Sequence, residues 1–192
     1  RGPLTPQDVQ SAAVQRSEGL RVITGLVTPH RWREVSRPSI ESIIGALRLS
    51  ARYSVVDIAS TSLEKSSRGA SRDDAALGVL ERVDRLVIVA RGDIVGINRL
   101  SFLASWWNEH GSDCPITLIV NRVSTDAIGA RPVASLQDAI GTFMPEQIFH
   151  VVDEDAGVAR AALRGKALGE SGTHCEASDE LEAIVAQWMP TL

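Results

Sequence analysis

The sequence predicts an α/β fold: a doubly wound, mostly parallel sheet within a single domain spanning residues 1–192. Three observations lead there. Short runs rich in Val, Ile and Leu recur at residues 21–27, 53–58, 85–90, 116–120 and 147–152. Between them lie segments whose apolar residues repeat at helical spacing. The run 53–58 is nearly continuous in apolar character, as strands covered on both faces are. Strand and helix alternating at this spacing imply right-handed crossovers and parallel neighbours.

The elements follow in order. Thr5 is a plausible N-cap with Pro6 at the first helical position, which opens a helix running to about Glu18 and stopping near Gly19. Residues 21–27 read as a strand closed by Thr28-Pro29. Ile40, Ile43, Ile44, Leu47 and Leu49 then recur at helical spacing, and Tyr53 to Ile58 make a second strand. The Ser- and charge-rich stretch 59–73 reads as a mobile loop. Helix 74–83, strand 85–90 and helix 94–110 follow, the last stopped by Gly111. Strand 116–120, helix 135–141, strand 147–152, helix 155–164 and a last helix over 178–188 complete the chain.

Composition sets the bounds on function. Hydrophobic residues make up 44% of the 192, charged residues 23%, and the net charge is -4, a globular balance with no basic stripe to neutralise nucleic-acid phosphates. Cys114 and Cys175 give no disulfide framework, and His174 beside Cys175 lacks a second ligand pair at metal spacing. No signal-peptide pattern opens the chain, and its longest apolar run, 115–120, is far too short for a bilayer span. A cytoplasmic location without membrane insertion is the expectation.

Ligands of open α/β sheets bind at the carboxyl ends of the strands. That points to Asp57, to Arg91 and Asp93, to Asn121-Arg122 and to Asp153. Asp57, ending a buried run, suits a Mg²⁺ shell or the orientation of a water, or else it caps nearby amides. Asn121 carries donors and acceptors that can read a purine edge, or it makes an Asx turn. A guanine reader of the N-K-x-D type is disfavoured, because Arg122 replaces the Lys and Ser124 the Asp. Asp153 and Asp155 precede a helix and read first as caps, second as a ligand loop. The one Gly-Lys pair, Gly165-Lys166, follows a helix and has Ala167 next, so it is no phosphate-gripping loop. No G-x-G-x-x-G, G-x-S-x-G or Ser/His/Asp set is present.

Helix 94–110 is unusually apolar. Ile97, Leu100, Ala104 and Trp107 form one stripe, and Val95, Phe102 and Trp106 a second. Core packing explains one; two imply burial on both sides or a partner surface.

Five segments in order then resemble a known family. Gly19-Leu20-Arg21-Val22-Ile23-Thr24-Gly25, Tyr53-Ser54-Val55-Val56-Asp57, Val83-Asp84-Arg85-Leu86-Val87-Ile88-Val89, Leu118-Ile119-Val120-Asn121-Arg122, and the stretch from Asp153 to Gly165 with Ala161 and Ala162 are similar to the MinD/ParA class of deviant P-loop ATPases. Within that class the chain most resembles CpaE/TadZ-type proteins, which localise pilus-assembly or secretion machinery. The resemblance implies that Asp57 acts on Mg²⁺ and the attacking water. It implies that Asn121 reads adenine beside Arg122, and that Val152 and Asp153 belong to the loop over the base. It implies ATP and Mg²⁺ as cofactors and a homodimer switched by ATP hydrolysis. The chain departs from the family pattern at Ser54, where Asp is usual, at Ala59, where Pro is frequent, and at Val152, where Pro is usual. It also lacks the family's first strand, its K-G-G-x-x-K-[ST] loop and its switch I aspartate, which would all precede Thr5. The expectation is therefore the C-terminal part of a MinD/ParA-like ATPase domain, its central strand and loop supplied by other residues. A non-catalytic scaffold is the alternative, and a phosphoacceptor signalling domain built on Asp57 the third reading. The family's basic membrane helix has no counterpart, since residues 181–188 carry an apolar face but no Lys or Arg.

Overall fold

The computed structural model describes residues 4–26, 28–59, 71 and 73–189. It divides into two compact units, 1–84 and 85–192.

In the first unit, helix α1 (Pro6–Ala12) starts as the sequence predicts. The Thr5 hydroxyl accepts from the Asp8 N–H, while the Asp8 carboxylate takes the Thr5 N–H at 2.7 Å. This reciprocal cap satisfies two otherwise orphaned donors. The helix stops at Ala12 and not near Glu18. Residues 14–22 instead form an antiparallel hairpin of β1 (Val14–Ser17) and β2 (Leu20–Val22), turned at Gly19 with φ 77. Gly19 is thus a turn residue, using a backbone region that costs glycine little. A 3-10 helix (Pro29–Glu34) leads to α2 (Arg37–Ser50), capped by Ser36, and to α3 (Asp74–Leu80). Arg37 to Glu81 at 2.7 Å and Arg82 to Glu41 at 3.4 Å tie α2 to the end of α3. Residues 53–58 are not a strand. Tyr53, Val55 and Val56 are 38%, 89% and 41% exposed, and no ladder partner exists for them among the described residues. An apolar run becomes a strand only when a neighbour takes its N–H and C=O groups. The predicted loop over 59–73 falls mostly on residues outside those described.

The second unit holds the parallel sheet. Its strands β3 (Leu86–Arg91), β4 (Ile116–Val123) and β5 (Phe149–Asp153) lie in that order, all parallel. Helices α4 (Ile94–His110), α5 (Thr125–Ile128), α6 (Pro132–Gly141), α7 (Ala156–Leu163) and α8 (Glu176–Ala186) complete it. On one face, Leu100 of α4 and Leu136 and Ile140 of α6 pack on Ile88, Ala90, Leu118 and Val120. On the other, Ala177 and Ile184 of α8 pack on Ile119 and Val152. Helices on both faces of a parallel sheet make it doubly wound, as predicted. β4 is the covered centre: Leu118 and Val120 are fully buried, each stabilising the fold by about 1.5–3 kcal/mol relative to exposure.

β3 differs. Ile88 and Ala90 are buried, but Val87 and Val89, on the α8 side, are 39% and 60% exposed. Among the described residues nothing pairs with the edge of β3 away from β4. On α4, the stripe of Leu100, Ala104 and Trp107 is buried, whereas Val95 and Phe102 of the second stripe stay 61% and 70% exposed. Core packing therefore accounts for one stripe only.

Candidate functional site

The carboxyl ends of the three strands gather most of the sequence-predicted site residues. Arg91 and Asn121 are register partners, and the Gly92 N–H donates to the Asn121 carbonyl at 2.7 Å. Immediately after Asn121 the ladder slips, for the register shifts between Asn121 and Val123. The extra residue is Arg122, the one non-glycine residue with positive φ among the described residues, at 61. The Asn121 Oδ1 accepts the Arg122 N–H at 2.9 Å, which steadies the left-handed turn. A bulge at a strand end re-aims side chains, and non-glycine residues in this region concentrate at functional sites.

The Arg122 guanidinium reaches across to the β5–α7 loop. Its Nε and Nη2 donate to Glu154 Oε1 at 3.1 and 2.6 Å, and Glu154 raises the Arg122 pKa. The Glu154 N–H donates to the Val123 carbonyl at 2.9 Å, so side chain and backbone together latch that loop to β4. Next along, the Asp153 N–H donates to Glu180 Oε2 of α8 at 3.1 Å, while the Asp153 side chain is exposed. Val152 is only 2% exposed and sits in the core under α8, so it offers a ligand nothing but backbone.

Two further carboxylates cap helices. Asp93 accepts the Gly96 N–H at 2.7 Å and pairs with Arg91; the Gly96 bond chiefly, and Arg91 after it, hold its pKa below the ordinary value. Gly96 is obligatory there, since a Cβ would stand 2.1 Å from the Arg91 carbonyl. Asp155 accepts the Gly157 N–H at 2.6 Å and the Ala177 N–H at 3.3 Å, joining the first turns of α7 and α8. These two bonds, in that order, lower its pKa. Asp155 is thus the cap that the sequence favours. Ser124, standing where a guanine reader would have Asp, caps α5 by accepting from the Ala127 N–H at 3.3 Å.

The rim is acidic. Among the described residues, Asp93, Asp153, Glu154, Asp155 and Glu180 outnumber the neighbouring Arg91, Arg122 and Arg160, and Arg91 and Arg122 are already paired with carboxylates. A heterocycle finds partners, because the Asn121 amide N–H₂ is uncommitted and its Oδ1 keeps a second lone pair.

Asp57 belongs to the first unit. Its carboxylate is exposed, without a hydrogen bond or ion pair among the described residues, and it ends no strand. Among the described residues no group of three His, Cys, Asp or Glu could hold a metal ion. Both cysteines are free thiols. An open apolar groove of about 530 Å³ lies between α4, α5 and α6, lined by Ile97, Ile128, Leu136 and Phe143 among others. No helix is long and apolar enough to cross a membrane, among the described residues.

Comparison with solved structures bears on this geometry. The MinD cell division protein of Aquifex aeolicus superposes with a TM-score of 0.64 and 15% identity, over 95% of this chain and 70% of that one. The cell division ATPase MinD of Pyrococcus furiosus gives 0.59 at 15% identity, over 95% of this chain and 77% of that one. The chain has a MinD-like fold. That agrees with the fold expected from the order of its five segments. No family model matches the sequence, and no curated protein does. Within the MinD-like fold, Asn121, Arg122, Val152 and Asp153 come together, whereas Asp57 lies in the other unit. Glu154 and Glu180 are the site residues that sequence reasoning missed. Glu180 stands 27 residues from the amide it binds, and no local pattern marks such a pairing.

Proposed function

We propose that this chain is the base-binding part of a MinD/ParA-class positioning protein of the CpaE kind, which serves pilus-assembly or secretion machinery through an ATP-dependent homodimer. The observation that carries the reading is the β4 bulge, where Arg122 at positive φ sets the Asn121 amide at the carboxyl end of the central strand. Asn121 would read adenine, and the Arg122–Glu154 latch would hold the loop of Val152 and Asp153 against the base. Asp57 would act on Mg²⁺ and the attacking water. Bound ATP and Mg²⁺ would supply phosphoryl transfer to water, the step that resets the dimer.

The phosphate grip must come from residues other than these. A strand, Gly-rich loop and helix carrying Lys and Ser/Thr, encoded upstream in the same reading frame, would supply it. The exposed Val87 and Val89 of β3 support this, since parallel strands are usually covered on both faces, and among the described residues nothing pairs with the edge of β3 away from β4. The runner-up is a non-catalytic scaffold, favoured by the pairing of Arg91 and Arg122, the two strand-end guanidiniums, with carboxylates.

Titration of a fluorescent ATP analogue into the protein made from its complete reading frame tests the reading. Micromolar, Mg²⁺-dependent binding that weakens in Asn121→Ala is expected. Absence of binding leaves the scaffold.

A further inference from the structure

Helix α8 carries a carboxylate where its own packing calls for an apolar side chain. Ala177, Glu180, Leu181 and Ile184 stand at positions i, i+3, i+4 and i+7, the spacing of one helix face. Ala177 and Ile184 are buried against the sheet and Leu181 packs beside them, so Glu180 is the one charged member of that stripe. It is half-buried, and among the described residues no cation pairs with it. Its partner is the Asp153 N–H, at 3.1 Å. That amide needs an acceptor. The Glu154 N–H turns inward to the Val123 carbonyl of β4, so the Asp153 N–H, one residue earlier, turns outward. On that side of β5 no strand takes it among the described residues. The Asp155 carboxylate ties the same segment to α8 a second time, through the Ala177 N–H at 3.3 Å. Residues 153–155 are thus slung between β4 and the first two turns of α8.

We infer that Glu180 is a positioning residue for the nucleobase: from α8 it fixes the segment 153–155 at the rim of the sheet without touching the base itself. The inference deepens the base site proposed above and rests on it. Glu180 acts through the Asp153 N–H alone, so what it must supply is an acceptor oxygen at that point. With that amide released, the segment keeps its tie to β4 and loses the one that holds Asp153, the residue that reading puts over the base. A site that must meet a ligand in one geometry depends on such supporting bonds behind the residues in contact.

Glu180→Ala and Glu180→Gln in the protein of the complete reading frame test it, with adenosine as the probe because it carries the base and no phosphate. The amide oxygen of Gln still accepts the Asp153 N–H, and the methyl of Ala does not. Glu180→Ala is expected to weaken adenosine about fivefold by calorimetry, and Glu180→Gln by less than about twofold. In the ligand-free proteins, hydrogen exchange of the Asp153 amide is expected to quicken about tenfold in Glu180→Ala and to stay near the parent rate in Glu180→Gln. The amides of Leu118 to Val120 on β4 keep the parent rate in both. Adenosine affinity unchanged in Glu180→Ala overturns the inference, as does a Gln variant as weak as the Ala one. Exchange that quickens equally at Leu118 to Val120 marks a general loss of stability and overturns it too. The two readings fail separately. A parent protein that binds no adenosine defeats the base site and this role with it, whereas adenosine bound equally by parent and Glu180→Ala defeats the role alone.

Discussion

Arg122 pays for its left-handed backbone with two local contacts, the Asn121 Oδ1 on its N–H and Glu154 on its guanidinium. Asn121→Ala removes the first and deletes the proposed base reader. Loss of one such hydrogen bond is worth about 1 kcal/mol, so affinity of the intact protein for adenosine is expected to fall roughly five- to tenfold, by calorimetry. Asp93 and Asp155 contribute to the acid limb of stability. Their folded pKa values lie below those of the unfolded chain. They therefore contribute stability above the unfolded values, and lose it as pH falls through the folded ones. Denaturant midpoints are expected to drop below about pH 4. Asp155→Asn should flatten that drop, because an amide cannot titrate, while lowering the midpoint at neutral pH. An unchanged slope would remove Asp155 from this role.

Elements inherit these residue-level constraints. Leu118 is fully buried between α4 and α6, so Leu118→Ala should cost about 2–5 kcal/mol in denaturant unfolding. Gly96→Ala forces α4 off β3, since its Cβ meets the Arg91 carbonyl. A cost above about 1–3 kcal/mol is expected, read as a lower midpoint with an unchanged slope. The second unit was the more legible half. Helix α4 has the bounds that its Asp93 cap and Gly111 stop imply, and β3, β4 and β5 lie where apolar runs place them. Those signals are local: a cap, a stop, a short apolar run. The first unit was less legible because its outcome depends on neighbours. The run 53–58 reads as a strand but finds no ladder partner among the described residues. Residues 13–18 continue a helical pattern yet pair back on Leu20–Val22 through the turn at Gly19. At the site, Asn121 and Asp153 were visible as strand-end polar residues. The Arg122–Glu154 latch was not, because a bulge depends on ladder register and not on composition.

For the molecule as a whole, the account is a division of labour. Residues 85–192 hold a three-stranded parallel sheet with an acidic rim at the strand ends, where the proposed base site lies. An acidic rim disfavours phosphates, so on the proposed function ATP affinity would depend on cations brought by residues other than these. Adenosine and ATP separate the two contributions, because they share the base and differ in the phosphates. The measurement is calorimetric titration of each, with Mg²⁺, into residues 1–192 and into the protein of the complete reading frame. The account expects the shorter chain to bind ATP no better than adenosine, and the complete protein to prefer ATP by about 100-fold or more, near 2.8 kcal/mol. A complete protein indifferent between the two, or a shorter chain that already prefers ATP strongly, would contradict it.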